Sequence, residues 1–345
     1  MQIMQTRRRF LAGAAMAGAA GIVGLPESLH AEPPLETTTV RLPRWVGGSY
    51  CWAGAYIAAE LMRADGLTDV RYVESDRSVD QSEWIARGES EWIARGETDF
   101  SVNFPPNHIA SIDAGVPIKV LTGLHSGCLE LIAKESIRSV TDLRGKRVGV
   151  DGFNNSRHVW LTLMSAYVGL DPVNDIQWVL TENVKPTELF VQGKIDAFLG
   201  TPPQPQELRA KKIGHTILSN AVDRPWSQYF CCMISATTDY VNRYPVATKR
   251  VLRSILKAAD LCVSDPERVA QQMVDRDFVP SYDYALQTLK DIRYDRWRDF
   301  DPEDSLRFYT LRMQETGMIK SSPQQIIADG TDWRFLDELK RELKT

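Results

Sequence analysis

Four short clusters in this 345-residue chain combine polar donors, aromatic rings and backbone that a small molecule could approach closely. The first runs from Trp45 through Gly47 and Gly48 to Ser49 and Tyr50. Its glycines admit close backbone contact, and its rings could sandwich a planar or alkyl group. The second, Asn103-Phe104-Pro105, sets an amide beside an aromatic at a rigid stop. The third is Phe153-Asn154-Asn155-Ser156-Arg157, where a helix should begin. A helix N-terminus offers free N–H donors and a partial positive charge, and Arg157 could grip a carboxylate or sulfonate through two parallel hydrogen bonds. The fourth is Thr201-Pro202-Pro203. The first three clusters have plainer alternatives: a strand-to-helix turn, Asn and Ser acting only as helix caps, and Arg157 pointing to solvent. Together they describe chemistry that holds an anion.

Metal and covalent chemistry find less support. Cys51, Cys128, Cys231, Cys232 and Cys262 are odd in number and unrelated in spacing, with no CxxC and no Cys/His set at zinc spacing. No disulfide is specified. Adjacent Cys231 and Cys232 lie in an apolar run whose successive side chains point to opposite faces of a strand, so they read as small buried hydrophobes. His108, His125, His158 and His215 share no metal-like spacing and read as capped or surface histidines. No metal and no cofactor are expected.

The elements that position these clusters alternate between β-type and helix-type runs, the signature of an α/β protein with mostly parallel sheets. "TTVRLPRW" is a strand up to Trp45, followed by an amphipathic helix over Tyr50–Arg63 that ends at Gly66. "VRYV" is a strand, and Ser78 with Gln81 opens a helix by a capping box. "TDFSVNF" is a strand stopped by Pro105-Pro106, and Ile118–Leu124 is another. After "LELIAK" come a capped turn at Val140–Leu143, a strand at Arg147–Val150 and a helix beginning at Asn155 or Ser156. "IQWVLT" and "DAFLG" are strands flanking a helix. "YFCCMISATT" is a strand leading into one long helix, and the chain from Asp265 onward is largely helical. In open α/β sheets ligands occupy the crevice beyond the carboxyl ends of strands, which is where all four clusters fall.

The N-terminus reads as an export segment, residues 1–31. Arg7, Arg8 and Arg9 precede Phe10-Leu11 and a small apolar run from Ala12 to Leu25, with Ala31 the last residue removed. Thr-Arg-Arg-x-Phe-Leu fits the twin-arginine (Tat) pattern. The alternative, a membrane anchor, needs about 20 apolar residues. Removal takes three Arg and one Glu, leaving the remainder two units more acidic than the −4 of the full chain. A mildly acidic protein without a basic stripe is a poor fit to nucleic acid or anionic lipid. Hydrophobic and charged shares of 43% and 25% are those of a globular protein large enough for two domains.

Four segments, in order, carry a family resemblance: "GAYIAAELMRADGL", "ARGETDFSVNFPP", "SVTDLRGKRVGV", and "VQGKIDAFLGTPP" with "TTDYVNRYPVATKRVLRSILKA". The chain resembles the periplasmic substrate-binding proteins of nitrate/sulfonate/taurine-type ABC importers, relatives of thiamine-pyrimidine-precursor binding proteins. The resemblance implies an α/β, two-lobed periplasmic-binding-protein type II-like fold, with two mixed sheets flanked by helices and two crossing hinge strands. Lobe 1 would be 36–126 plus 230–345, and lobe 2 would be 127–229. It implies a periplasmic, monomeric, non-catalytic receptor delivering a small organic anion, sulfonate- or carboxylate-like, to ABC permease and ATPase subunits. Trp45, Gly48, Ser49, Tyr50, Asn103, Phe104, Asn154, Asn155, Ser156, Arg157 and Thr201 would line the cleft. Trp226 and Tyr229 would add hinge-side aromatic contacts, with core packing the alternative. A pyrimidine-synthesising enzyme on the same fold and a ligand sensor subunit are the rival readings. "YFCCM" has only two adjacent cysteines where such enzymes use a cysteine-rich run.

The resemblance also bears on a direct repeat, SEWIARGE at 82–89 and again at 90–97. The second copy abuts the Gly-x-x-Asp strand element, which makes the first surplus. Eight residues turn a helix by about 800°, about 80° past two full turns, so Trp84 and Trp92 cannot face one core. The repeat is expected to be an in-frame duplication without function, absorbed near Gly88.

Overall fold

The computed structural model describes residues 32–45, 49–74, 93, 95–181 and 184–344. The export segment, Gly47 and Gly48, the helix at Ser78 and the first copy of the repeat lie outside the described residues.

Parallel strands β1 (Thr39–Arg44) and β2 (Asp69–Glu74) flank helix α1 (Ala53–Ala64). A 3₁₀ turn, Tyr50–Trp52, leads into that helix. Its buried residues include five small ones, Ala53, Gly54, Ala55, Ala58 and Ala59, beside Tyr56, Ile57 and Met62. A β-carbon on Gly54 would lie 3.5 Å from Ala259 Cα, so the small residues let a later helix come in close. Gly66, at φ +96°, ends the turn beyond α1 as expected.

Strand β3 (Phe100–Asn103), helix α2 (Pro105–Asp113) and strand β4 (Ile118–His125) follow. Strand β10 (Cys232–Thr237), buried except at its last residue, inserts antiparallel between β3 and β4. The first expected sheet is therefore hydrogen-bonded in two pieces, β1-β2 and β3-β10-β4, joined where Asp99 N donates to Arg41 O.

The second sheet has order β7-β6-β8-β5-β9, from β5 (Glu130–Ala133), β6 (Arg147–Val150), β7 (Gln177–Leu180), β8 (Ala197–Gly200) and β9 (His215–Ser219). β6 pairs parallel with β7 and β8, while β5 runs antiparallel to β8 and β9. The sheets are mixed, with fewer parallel pairings than the alternating runs suggested. Helices α3 (Ser156–Tyr167), α4 (Pro186–Val191) and α5 (Gln204–Lys211) belong to this stretch.

One device holds both halves. In the first, Asp99 accepts from Arg41 N (2.7 Å) and from its guanidinium, which also donates to Gly96 O. In the second, Asp196 accepts from Arg147 N (3.0 Å) and from its guanidinium, which also donates to Gly193 O. Gly96 and Gly193 both sit at positive φ, where glycine carries no steric penalty. Each Gly-x-x-Asp thus ties the start of one strand to an arginine of its neighbour.

The long helix expected after β10 is two helices, α6 (Thr238–Arg243) and α7 (Pro245–Ser264). Pro245 disfavours the α conformation in the residue before it, and Tyr244 sits at φ −131°, ψ 58°. The C-terminal region is helical as expected: α8 (Pro266–Asp275), α9 (Tyr282–Asp291), α10 (Pro302–Glu315), α11 (Pro323–Gly330) and α12 (Arg334–Glu342).

The chain passes between sheets twice, from β4 to β5 and from β9 to β10. Asn220 on the second passage accepts from Cys128 N and Leu129 N on the first, both at 2.8 Å.

Candidate functional site

The strand ends were expected to converge, and the structure sorts them. Trp45 is partly buried, its backbone N donating to Tyr56 OH. Gly48 lies outside the described residues. Ser49 lies 3.5 Å from Cys51 Sγ through its Oγ. Tyr50, only 2% exposed, packs in the core, and its phenol reaches the backbone of Ser281 just before α9.

At the start of α3 the capping alternative holds for Asn155, whose Oδ1 accepts from His158 N (2.9 Å). Its Nδ2 donates to Asp151. Asn154 takes the left-handed conformation, φ 63°, and its N donates to His158 Nδ1. Arg157 does not point freely to solvent: it ion-pairs with Asp151 and donates to Thr201 Oγ1 at 3.1 Å. The third and fourth clusters are thus brought together, with the arginine's charge already balanced. Ser156 Oγ accepts from Asn107 Nδ2 of α2 at 2.9 Å, linking helices from the two sheets.

A second convergence surrounds Phe104. Its ring is 6.5 Å from Trp160 of α3, which stands 4.9 Å from Tyr309 of α10 and 5.7 Å from Trp226. Tyr229 stacks on Phe308 at 4.0 Å and meets Tyr309 edge-on. Within this group three buried donors have no hydrogen-bond partner among the described residues: Asn103 Nδ2, Trp160 Nε1 and Tyr309 OH. Asn103 spends only its oxygen, on Phe104 N. Burial pushes the Tyr309 phenol well above its ordinary pKa, so it stays a neutral donor. An unmade buried hydrogen bond costs about 1–3 kcal/mol, so an acceptor oxygen brought among these rings would satisfy donors that the packed side chains leave unpaired. Trp160 and Tyr309 were not among the sequence candidates. The only local signal was a tryptophan five residues beyond the Asn155 cap.

The cysteine reading needs correction. Cys51, His125, Cys128 and Cys232 are all buried, and their ligand atoms lie within 4.8 Å of one another. His125 is neither capped nor on the surface. It is 0% exposed, packed edge-on against Tyr294, and neither ring nitrogen makes a well-formed hydrogen bond among the described residues, the Cys51 thiol being its polar neighbour. Cys231 and Cys232 do not part to opposite surroundings; both thiols neighbour Cys128, whose pKa burial holds well above the ordinary range. All five cysteines are free and buried, and Cys262 stands apart from the cluster. His108 is buried too, with Nε2 3.1 Å from Met233 O.

A family profile described as NMT1/THI5 like matches residues 60–269. The chain belongs to that family. No curated protein sequence matches it. Among solved structures, the periplasmic nitrate-binding protein NrtA from Synechocystis PCC 6803 superposes with a TM-score of 0.73 at 14% identity, covering 90% of each chain. The aliphatic sulphonate binding protein SsuA from Escherichia coli gives 0.64 at 18%, covering 84% of this chain and 91% of its own. The alkanesulfonate-binding protein SsuA from Xanthomonas axonopodis pv. citri, bound to MOPS, gives 0.63 at 15%, covering 84% and 96%. The fold is therefore that of periplasmic solute-binding proteins of the nitrate and sulfonate type. Among the described residues of this NMT1/THI5-like chain, no helix is long and apolar enough to cross a membrane.

Proposed function

We propose that the chain is an extracytoplasmic receptor that closes over a small organic anion and hands it to an ABC permease, without catalysing a reaction. Residues 36–126 with 230–345 form one lobe and 127–229 the other, and the two passages between the sheets serve as the hinge. The observation that carries the reading is the cluster of aromatic rings around Asn103 Nδ2, Trp160 Nε1 and Tyr309 OH, three buried donors lacking acceptors among the described residues. Trp160 comes from the second lobe, Asn103 and Tyr309 from the first, so a guest bound to all three draws the lobes together. Asn107–Ser156 and the bonds from Gln206 and Arg209 to Asp291 would lock that closure.

Neutral donors suit an anion whose charge is spread over several oxygens, as in a sulfonate or carboxylate. The structural neighbours are named as binding nitrate and alkanesulfonates, anions of this kind. Arg7-Arg8-Arg9 and the apolar run after them support export.

A thermal-shift screen of alkane- and arylsulfonates, carboxylates and their neutral or cationic analogues tests the reading. A ligand at 100 times its dissociation constant adds about 2.7 kcal/mol, and sulfonates or carboxylates should raise the melt. A shift only with neutral or cationic compounds would overturn the anion assignment.

A further inference from the structure

We infer that Cys51, His125, Cys128 and Cys232 form a closed binding site for one thiophilic d¹⁰ cation, Zn(II) or Cu(I). This rests on different residues from the aromatic cluster and stands apart from the receptor reading.

The four ligands come from four places that the fold alone assembles. Cys51 lies on the 3₁₀ turn after β1, His125 ends β4, Cys128 lies on the first passage between the sheets, and Cys232 opens β10 at the end of the second. Their ligand atoms lie within 4.8 Å of one another. A tetrahedral site with metal–sulfur bonds of ~2.3 Å has edges of about 3.7 Å, so the side chains need draw in by about 1 Å at most. Three thiols and an imidazole, all buried, present soft donors and leave out the carboxylates preferred by Mg(II) or Ca(II).

His125 supplies the independent observation. An imidazole at 0% exposure normally gives at least one ring nitrogen to a well-formed hydrogen bond, yet neither nitrogen has one among the described residues, and the group its ring faces is the Cys51 thiol of the same cluster. A metal bond would use the lone pair of one nitrogen. Tyr294 covers the ring and donates its hydroxyl to Cys51 O at 2.9 Å, fixing the turn that carries the first thiol.

Binding displaces the thiol protons, so the ligands enter as thiolates and neutral imidazole. The bound ion would tie both passages between the sheets to the turn after β1. Cys231 remains outside the four. It touches Cys128 and accepts from Asn220 Nδ2, and a Cys128–Cys231 disulfide would remove one ligand from the set.

The test uses the full chain, purified reduced and anaerobically and stripped with a chelator. Competition titrations with Zn(II) and with Cu(I) measure affinity, and elemental analysis measures stoichiometry. Co(II) is added as a spectroscopic probe of the wild-type protein and requires no variant. One ion per chain is expected, with Co(II) giving tetrahedral d–d bands and thiolate charge-transfer absorption of three sulfurs. Cys51→Ser and His125→Asn should each weaken binding by roughly 100-fold or more, while Cys262→Ser leaves it unchanged. The metal with the tighter competition constant identifies the ion. Substoichiometric uptake, octahedral Co(II) bands without thiolate absorption, or equal loss in Cys262→Ser would overturn the site. So would anaerobic protein that carries a Cys128–Cys231 disulfide and takes up no ion. Redox-active iron held in preference to both d¹⁰ ions would overturn the assignment of the cation.

Discussion

Gly127 and Ala221 touch across the two passages between the sheets: a β-carbon on Gly127 would lie 2.5 Å from Ala221 Cβ. Gly127 also holds φ +76°, so it meets both demands that only glycine satisfies, a left-handed backbone and no side chain. Gly127→Ala should destabilise the protein by about 2–4 kcal/mol, combining backbone strain with overpacking. Urea denaturation reads this directly. A loss below about 0.5 kcal/mol would mean the two passages do not hold this approach in solution.

Asn220 binds the same two passages by hydrogen bonds rather than by shape. Its single oxygen serves two buried backbone donors, Cys128 N and Leu129 N. Asn220→Ala leaves both unpaired and should cost about 2–4 kcal/mol. Asn220→Asp keeps the acceptor but buries a charge, so it too should destabilise. Chemical denaturation of both variants separates the effects; an Ala variant as stable as wild type removes the clasp.

These contacts mark where the sequence was readable and where it was not. The Val140–Leu143 turn appeared where expected, with Ser139 and Asp142 forming its capping box, because capping is decided within four residues. β1, β4, β6 and the start of α3 were legible for the same local reason. The break before Pro245 was written in the sequence and outweighed by the apolar pattern on either side. β9 escaped because its alternation is short and its edge position leaves it half exposed. The Cys51, His125, Cys128 and Cys232 group was not legible at all. Its members meet only because β10 inserts between β3 and β4, a pairing that no spacing rule encodes. Trp160 and Tyr309 likewise meet only through the packing of α3 on α10.

His108 makes stability depend on pH. Burial lowers its pKa to about 4, while Nε2 donates to Met233 O as the neutral imidazole. An unfolded histidine titrates near pH 6.5. Between those values the unfolded chain binds more protons, so stability falls as pH drops from about 6.5 and the loss is complete below about 4. The histidine contributes about 3 kcal/mol to that fall. His108→Gln keeps a side-chain donor and cannot titrate, so its denaturation midpoint should be flatter from pH 6.5 to 4. Parallel curves for variant and wild type would show that His108 protonates in the folded state.

Tyr309→Phe separates the cost of an unpaired donor from its use. The hydroxyl is buried without a partner among the described residues, so removing it should leave the unliganded protein equally stable or more stable by about 1 kcal/mol. The ring contacts to Trp160 and Tyr229 survive the change. If the hydroxyl donates to the guest, affinity for the best anion from the screen should fall by about 5-fold, the equivalent of about 1 kcal/mol. Calorimetric titration beside a thermal melt reads both quantities on one sample. Unchanged affinity with raised stability would place the hydroxyl outside the binding site, and lost affinity with lost stability would make Tyr309 a packing residue.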